Sequence, residues 1–99
     1  MRSVIKSQVY KKDFQRESNG KYRLVLAVDL PDVIAMLAAD IDLPAKYRDH
    51  MLSGNWAGHR ECHIKPDLLL IYMKIDDASF EDKNGELRLV RLGSHSELF

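Results

Sequence analysis

The chain predicts an α+β domain in which two N-terminal helices pack on a twisted antiparallel β-sheet. Three observations lead there. Between residues 8 and 41 the apolar positions recur at helical spacing, first Val9, Tyr10 and Phe14, then Val33, Ile34, Met36, Leu37 and Ile41. After Pro44 the pattern changes to short strand-like runs, 59–64, 68–75 and 86–92, punctuated by Lys65-Pro66-Asp67 and Asn84-Gly85. Finally, 99 residues suffice for one core, because a chain of this size buries roughly 60–70% of its unfolded surface. Helices followed by strands, rather than alternating with them, give segregated layers, and residues 1–99 form one domain.

Taken in order, Val4 and Ile5 suit a short first strand or its approach. A helix follows from about Gln8 to Glu17, stopped by Ser18-Asn19-Gly20, with Gly20 just past its end. The run Tyr22 to Val28 is almost continuously apolar, a pattern that suits strand or helix, and helix is the assignment preferred. Asp29-Leu30-Pro31-Asp32 then has the composition of a helix start, an acidic N-cap with proline in the first turn, leading into a second helix that ends near Asp40. Leu43-Pro44-Ala45 breaks the chain, and Ala45 to Met51 is a loop or short turn. Gly54, Asn55 and Gly58 form turns before the strand 59–64. The strands 68–75 and 86–92 are joined through Asn84-Gly85, a type I′ hairpin signal.

Composition narrows the function classes. A single cysteine, Cys62, excludes an internal disulfide, and no apolar run approaches the roughly 20 residues of a membrane span. The N-terminal MRSVIKSQVYKKDF lacks the apolar region of a secretory signal, so a cytoplasmic address is expected. Formal net charge is zero but unevenly placed. Residues 1–28 hold seven bases and two acids, and residues 29–99 eight bases and thirteen acids. A basic N-terminal half can track phosphates, or it can be the solvated face of an amphipathic helix.

Chemistry concentrates in residues 43–67, LPAKYRDHMLSGNWAGHRECHIKPD, which place His50, His59 and His63 beside Asp49, Glu61 and Asp67; His95 follows in the tail GSHSELF. Histidine, with an unperturbed pKa of about 6.5, exchanges protons near neutrality. Strand alternation puts His59, Glu61 and His63 on one face and Arg60, Cys62 and Ile64 on the other. Antiparallel pairing of the three strands brings His95 to the ionisable face.

Three chemistries can use such a set. Zinc binding by His59 and His63 with Asp67 or His50 is disfavoured, since those two histidines lie roughly 13 Å apart along a strand. Nucleophilic catalysis has no candidate: Cys62 sits on the apolar face as a small hydrophobe, and Ser53, Ser94 and Ser96 lack a nucleophile-elbow pattern. Metal-free RNA cleavage fits best. The substrate's own 2′-hydroxyl attacks, and the protein supplies a base, an acid and a cation. Trp56 or Phe99 can stack a base. Arg60 faces away and reads as structural, unless a bulge turns it towards phosphate. No cofactor or metal is expected.

The segments LPAKYRDHMLSGNWAGHRECHIKPDLLLIY and VRLGSHSELF resemble the bacterial RelE/ParE superfamily of toxins, specifically its YafQ branch of messenger-RNA interferases; YKKDFQR is similar to that family's first helix. The resemblance implies a RelE-like fold, ribosome-dependent cleavage of messenger RNA and neutralisation by a cognate antitoxin. It also implies functional roles for His50, His63, Asp67, His95 and Phe99, with Glu61 where an acid is also seen. His50 is then general base and His95 general acid, the two labels being exchangeable; His63 and Asp67 orient substrate and stabilise charge. The competing expectation is a non-enzymatic, ParE-like toxin acting by protein contact alone.

Overall fold

A computed structural model describes residues 1–76 and 85–99. The elements, in chain order, are β1 (Ser3–Lys6), α1 (Gln8–Ser18), α2 (Arg23–Ala38), β2 (His50–Met51), β3 (Arg60–Lys65), β4 (Leu68–Ile75), β5 (Glu86–Gly93) and α3 (His95–Leu98), with single 3₁₀ turns at Ala45–Tyr47 and Gly54–Trp56. One five-stranded sheet has the order β1-β5-β4-β3-β2. It is antiparallel from β2 to β5, as expected, but β1 joins the edge parallel to β5. The intervening helices supply the long crossover that a parallel neighbour needs.

Ser7 caps α1, its Oγ accepting the Tyr10 N–H at 2.9 Å while its own hydroxyl donates to Val90 O at 2.8 Å, so the helix start is tied to β5. The expected helix start at Asp29 is not found. Helix α2 begins at Arg23 and runs through Pro31. Leu26, Leu30, Val33 and Leu37 form one buried stripe, while Pro31 lies on the exposed side. Burying Leu26 and Leu30 contributes about 1.5–3 kcal/mol each, which offsets the roughly 3 kcal/mol that an interior proline costs. Ile41, expected in the stripe, is 56% exposed. The helix stops at Ala38 and Asp40 turns the chain in a left-handed conformation, φ 57°, its carboxylate held by Arg2 at 2.7 Å and Lys74 at 2.8 Å.

The sheet is buried on both faces along its centre. Under the helices lie Cys62, Ile64, Leu68, Leu70, Tyr72, Leu87, Leu89 and Leu92 with Tyr10 and the α2 stripe. Leu69 and Ile71 project to the other face, covered by Leu98 and bordered by Leu52, Trp56 and Val90. This explains the unbroken run LLLIY in the central strand β4. The expected hairpin at Asn84-Gly85 and the acidic residues Asp77, Glu81 and Asp82 fall in 77–84, outside the described residues. Gly85 itself has φ 82°, and a Cβ there would meet Ile75 O at 2.5 Å.

One buried charge anchors the end of β5. Asp13, 2% exposed, accepts from Arg91 Nε at 2.8 Å, Arg16 Nη1 at 3.0 Å and the Leu92 N–H at 3.0 Å. Burial pushes this carboxyl up, but the Arg91 and Leu92 hydrogen bonds and the two guanidinium charges outweigh it and hold the carboxyl below its ordinary value.

Candidate active site

The open face of the sheet gathers three of the four histidines. His50 on β2 pairs across from Glu61 on β3, and Glu61 and His63, two residues apart, share that face. A register shift between His63 and Lys65 leads into the tight Pro66-Asp67 connection to β4. From the other side, β5 ends at Gly93 and Ser94 caps the single turn α3. That cap is a reciprocal box, Ser94 Oγ accepting the Glu97 N–H and Glu97 accepting the Ser94 N–H. His95 is the first residue of the turn, and Phe99 follows it.

The rings form a row: His50 and His63 have centroids 6.0 Å apart, His63 and His95 5.7 Å. Each ring is held through Nδ1. His50 donates to Arg48 O at 2.6 Å, His63 to Pro66 O at 3.4 Å and His95 to Asp67 Oδ1 at 2.8 Å. Carbonyl and carboxylate oxygens only accept, so Nδ1 carries the hydrogen in each ring. That leaves the Nε2 atoms as the second proton site of each ring, His63 Nε2 lying against Glu61. Glu61, only 4% exposed, sits behind the row with its carboxylate 3.2 Å from His63 Nε2 and 3.9 Å from His50 Nε2, and pairs with whichever imidazole is protonated. Asp67 Oδ1 also accepts the His95 backbone N–H at 3.0 Å, and this bond, with that from the His95 ring, keeps the carboxyl below its usual range.

Glu61, His63 and His95 also offer ligand atoms within 4.8 Å of one another. Two imidazoles and a carboxylate are a donor set that zinc, copper or a similar cation accepts, so these residues fit a metal, although the histidine pair weighed from strand spacing was His59 with His63.

The remaining sequence candidates separate. Trp56 and Phe99 do meet, edge to face at 6.1 Å, and Phe99 is 57% exposed. His59 lies before β3 rather than in it and packs edge-on to Trp56 at 5.2 Å, outside the row of rings that Glu61 supports. Arg60 lies on the Tyr72 side of the sheet, both Nε and Nη2 reaching Asp49 at 3.3 Å; the one irregularity of β3 comes after His63 and leaves Arg60 in register with Tyr72. Cys62 is buried, and burial pushes its thiol up, away from nucleophilic use. What composition and spacing missed is the support: the carbonyls of Arg48 and Pro66 that orient two rings, and Asp49, which ties Arg60 and the Tyr72 hydroxyl together beneath His50. Backbone acceptors leave no mark in a residue pattern; Asp49 beside His50 was visible only as a charge.

Known proteins resemble the chain along its length. It is 42% identical over 59 residues to the mRNA interferase toxin YafQ of Escherichia coli, an alignment covering 60% of this chain and 55% of that protein. The chain thus spans about half the length of the curated relatives it matches. Among solved structures, a metal-bound toxin from Helicobacter pylori superposes with a TM-score of 0.75 at 39% identity, covering 100% of both chains. The E. coli DinJ–YafQ complex superposes with a TM-score of 0.73 at 30% identity, covering 100% of this chain and 99% of the other. The family model described as "Bacterial toxin of type II toxin-antitoxin system, YafQ" matches residues 2–99, and the chain belongs to that family.

Proposed function

We propose that this chain is an endoribonuclease toxin, a single domain that cuts messenger RNA on the bacterial ribosome by metal-free acid–base chemistry, acts in the cytoplasm and is silenced by a cognate antitoxin. The observation that carries the reading is the row of three imidazoles, each held at Nδ1, with His63 Nε2 against Glu61 and the Nε2 atoms of the outer two, His50 and His95, left for proton exchange. Relatives support it: one bears the name mRNA interferase, and another was solved in complex with DinJ.

In this mechanism His50 Nε2 removes the proton of the 2′-hydroxyl. The 2′-oxygen attacks the adjacent phosphorus, and the bond to the 5′-oxygen breaks as His95 Nε2 delivers a proton to it. The products are a 2′,3′-cyclic phosphate and a free 5′-hydroxyl. In-line displacement needs base and acid on opposite sides of phosphorus, and His50 and His95 occupy opposite ends of the row with His63 between them. A protonated His63, backed by Glu61 at 3.2 Å, stabilises the charge that develops on the phosphorane. Asp67 holds the His95 ring by Nδ1, as the acid of a catalytic triad orients its histidine. Phe99 and Trp56 provide a surface on which a base stacks.

Primer extension on abundant transcripts after induction, with and without active translation, tests the proposal. Translation-dependent cuts that vanish in His50→Ala and His95→Ala are expected. Intact transcripts during growth arrest would instead support a toxin that acts by protein contact.

A second reading has one observation behind it, the Glu61, His63 and His95 donor set. Glu61, His63 and His95 would hold a cation there, which would supply Lewis-acid stabilisation of phosphorane charge and compete with the proton exchange assigned to His63 and His95. Full cleavage after exhaustive chelation favours the metal-free reading; loss restored by zinc or copper favours this one.

A further inference from the structure

A cleft of about 300 Å³ opens beside the histidine row, between Asp29, Lys46, Arg48, His63 and Lys65. It shares His63 with the row, and its Arg48 supplies the carbonyl that orients His50. RNA lying across the row therefore passes the mouth of this cleft. Three cations line it against one acid. Lys65 is paired with Asp29 at 3.4 Å. Lys46 rests over the Tyr47 ring, 5.0 Å from its centroid, and among the described residues neither Lys46 nor Arg48 has an acidic partner.

The backbone adds an independent observation. Arg48 has φ 48° and ψ 43°, the left-handed conformation that favours glycine. An exposed arginine held there carries a backbone cost that glycine would remove, with no ion pair among the described residues to offset it. A planar guanidinium suits bidentate binding of phosphate.

We propose that Arg48, assisted by Lys46, clamps a messenger-RNA phosphodiester flanking the scissile bond, so that the cleft is a positioning subsite for the substrate backbone. This rests on the messenger-RNA cleavage proposed above.

The test is cleavage on ribosomes programmed with a defined message. Arg48→Gly keeps the backbone conformation while deleting the cation, and Arg48→Gln serves if the glycine variant does not fold. The expected result is KM raised about tenfold with kcat within about twofold, the loss of one charge-assisted hydrogen bond to an exposed group, while Arg48→Lys recovers most of it and Tm of the glycine variant is unchanged or higher. Messages carrying one neutral methylphosphonate, placed in turn at the two linkages on either side of the cut, identify the source of the phosphate. At one position the wild type should show the same loss and Arg48→Gly no further loss. Additive losses at every position would overturn the proposal and place the contact on ribosomal RNA, and so would an unchanged KM in Arg48→Gly. Failure of the nuclease reading is a separate result, in which the wild-type chain cuts none of these messages.

Discussion

Replacing Asp13 tests how the helical layer supports the site. Its carboxylate is buried and accepts four hydrogen bonds, two from Arg91, one from Arg16 and one from the Leu92 N–H. Asp13→Ala leaves the Leu92 N–H buried without an acceptor, a loss of about 1–3 kcal/mol. Arg91, whose side chain is one-quarter exposed, loses its only close acid among the described residues; Arg16 is more exposed and keeps Glu97 at 2.9 Å. Both guanidiniums can turn to water, so the total falls at or below the low end of the 3–5 kcal/mol found when a buried pair is broken. About 3 kcal/mol is expected, equivalent to roughly 12–24 °C in Tm for a chain of this size. Asp13→Asn keeps an acceptor for Leu92 and should cost about half as much. Urea unfolding is the assay, with a lower midpoint at unchanged slope. The sign of the pH dependence follows from the depressed carboxyl: its stabilisation is complete above the unfolded value, about 3.9, and is lost as pH falls through the folded one. The gap between wild type and Asp13→Asn should therefore narrow below about pH 4. A cost under about 1 kcal/mol for Asp13→Ala, or a gap that persists in acid, would refute the reasoning.

Other perturbations separate chemistry from folding. His50→Ala and His95→Ala should each lower the cleavage rate on programmed ribosomes by about 10²–10⁴ while leaving Tm within about 2 °C, since both side chains are about half exposed. Asp67→Asn should lower the rate by roughly tenfold or more, because an amide still accepts the His95 N–H but does not stabilise an imidazolium; thermal melts should not move. Gly85→Ala should destabilise by about 1–3 kcal/mol in urea unfolding, the new methyl having to clear Ile75 O from a left-handed backbone. Pro31→Ala should raise Tm, since the ring sits on the exposed side of α2 and alanine restores a donor there.

The elements legible in the sequence are those where one periodicity ruled. Strand β4, Leu68–Ile75, is legible to the residue, because turn signals bound its apolar run on both sides. Helix α1 was legible from Val9, Tyr10 and Phe14, although its most consequential buried residue is Asp13, which the same spacing classes as polar surface. Helix α2 misled at Pro31, where a local start signal competed with a tertiary stripe that continues on both sides. The parallel placement of β1 was not legible, since a four-residue edge strand carries no information about its partner. At the site, the histidines were visible as residue types, and Asp67, His63 and His95 do come together. His59, one residue ahead of β3, meets Trp56 instead of the row of rings, and residue spacing alone carries no sign of that contact.

The row of rings also explains why its members come from such distant parts of the chain. A base and an acid on opposite sides of one phosphorus cannot both come from alternate residues of a single strand, because those residues project the same way. The sheet separates the residues proposed for these roles: His50 rides the edge strand β2, His63 the neighbouring β3, and His95 arrives at the end of β5, beyond β4. Leu69 and Gly93 are paired across β4 and β5, which brings the chain after Gly93 beside the start of β4, where Asp67 catches His95 by both ring and backbone. The position of His95 therefore depends on β5 keeping its register. Asp13, bound to Arg91 and the Leu92 N–H one turn of chain earlier, supports that register from the helical side. A variant weakened at Asp13 should accordingly lose cleavage before it loses global fold, with His95 the first of the three rings to leave its place.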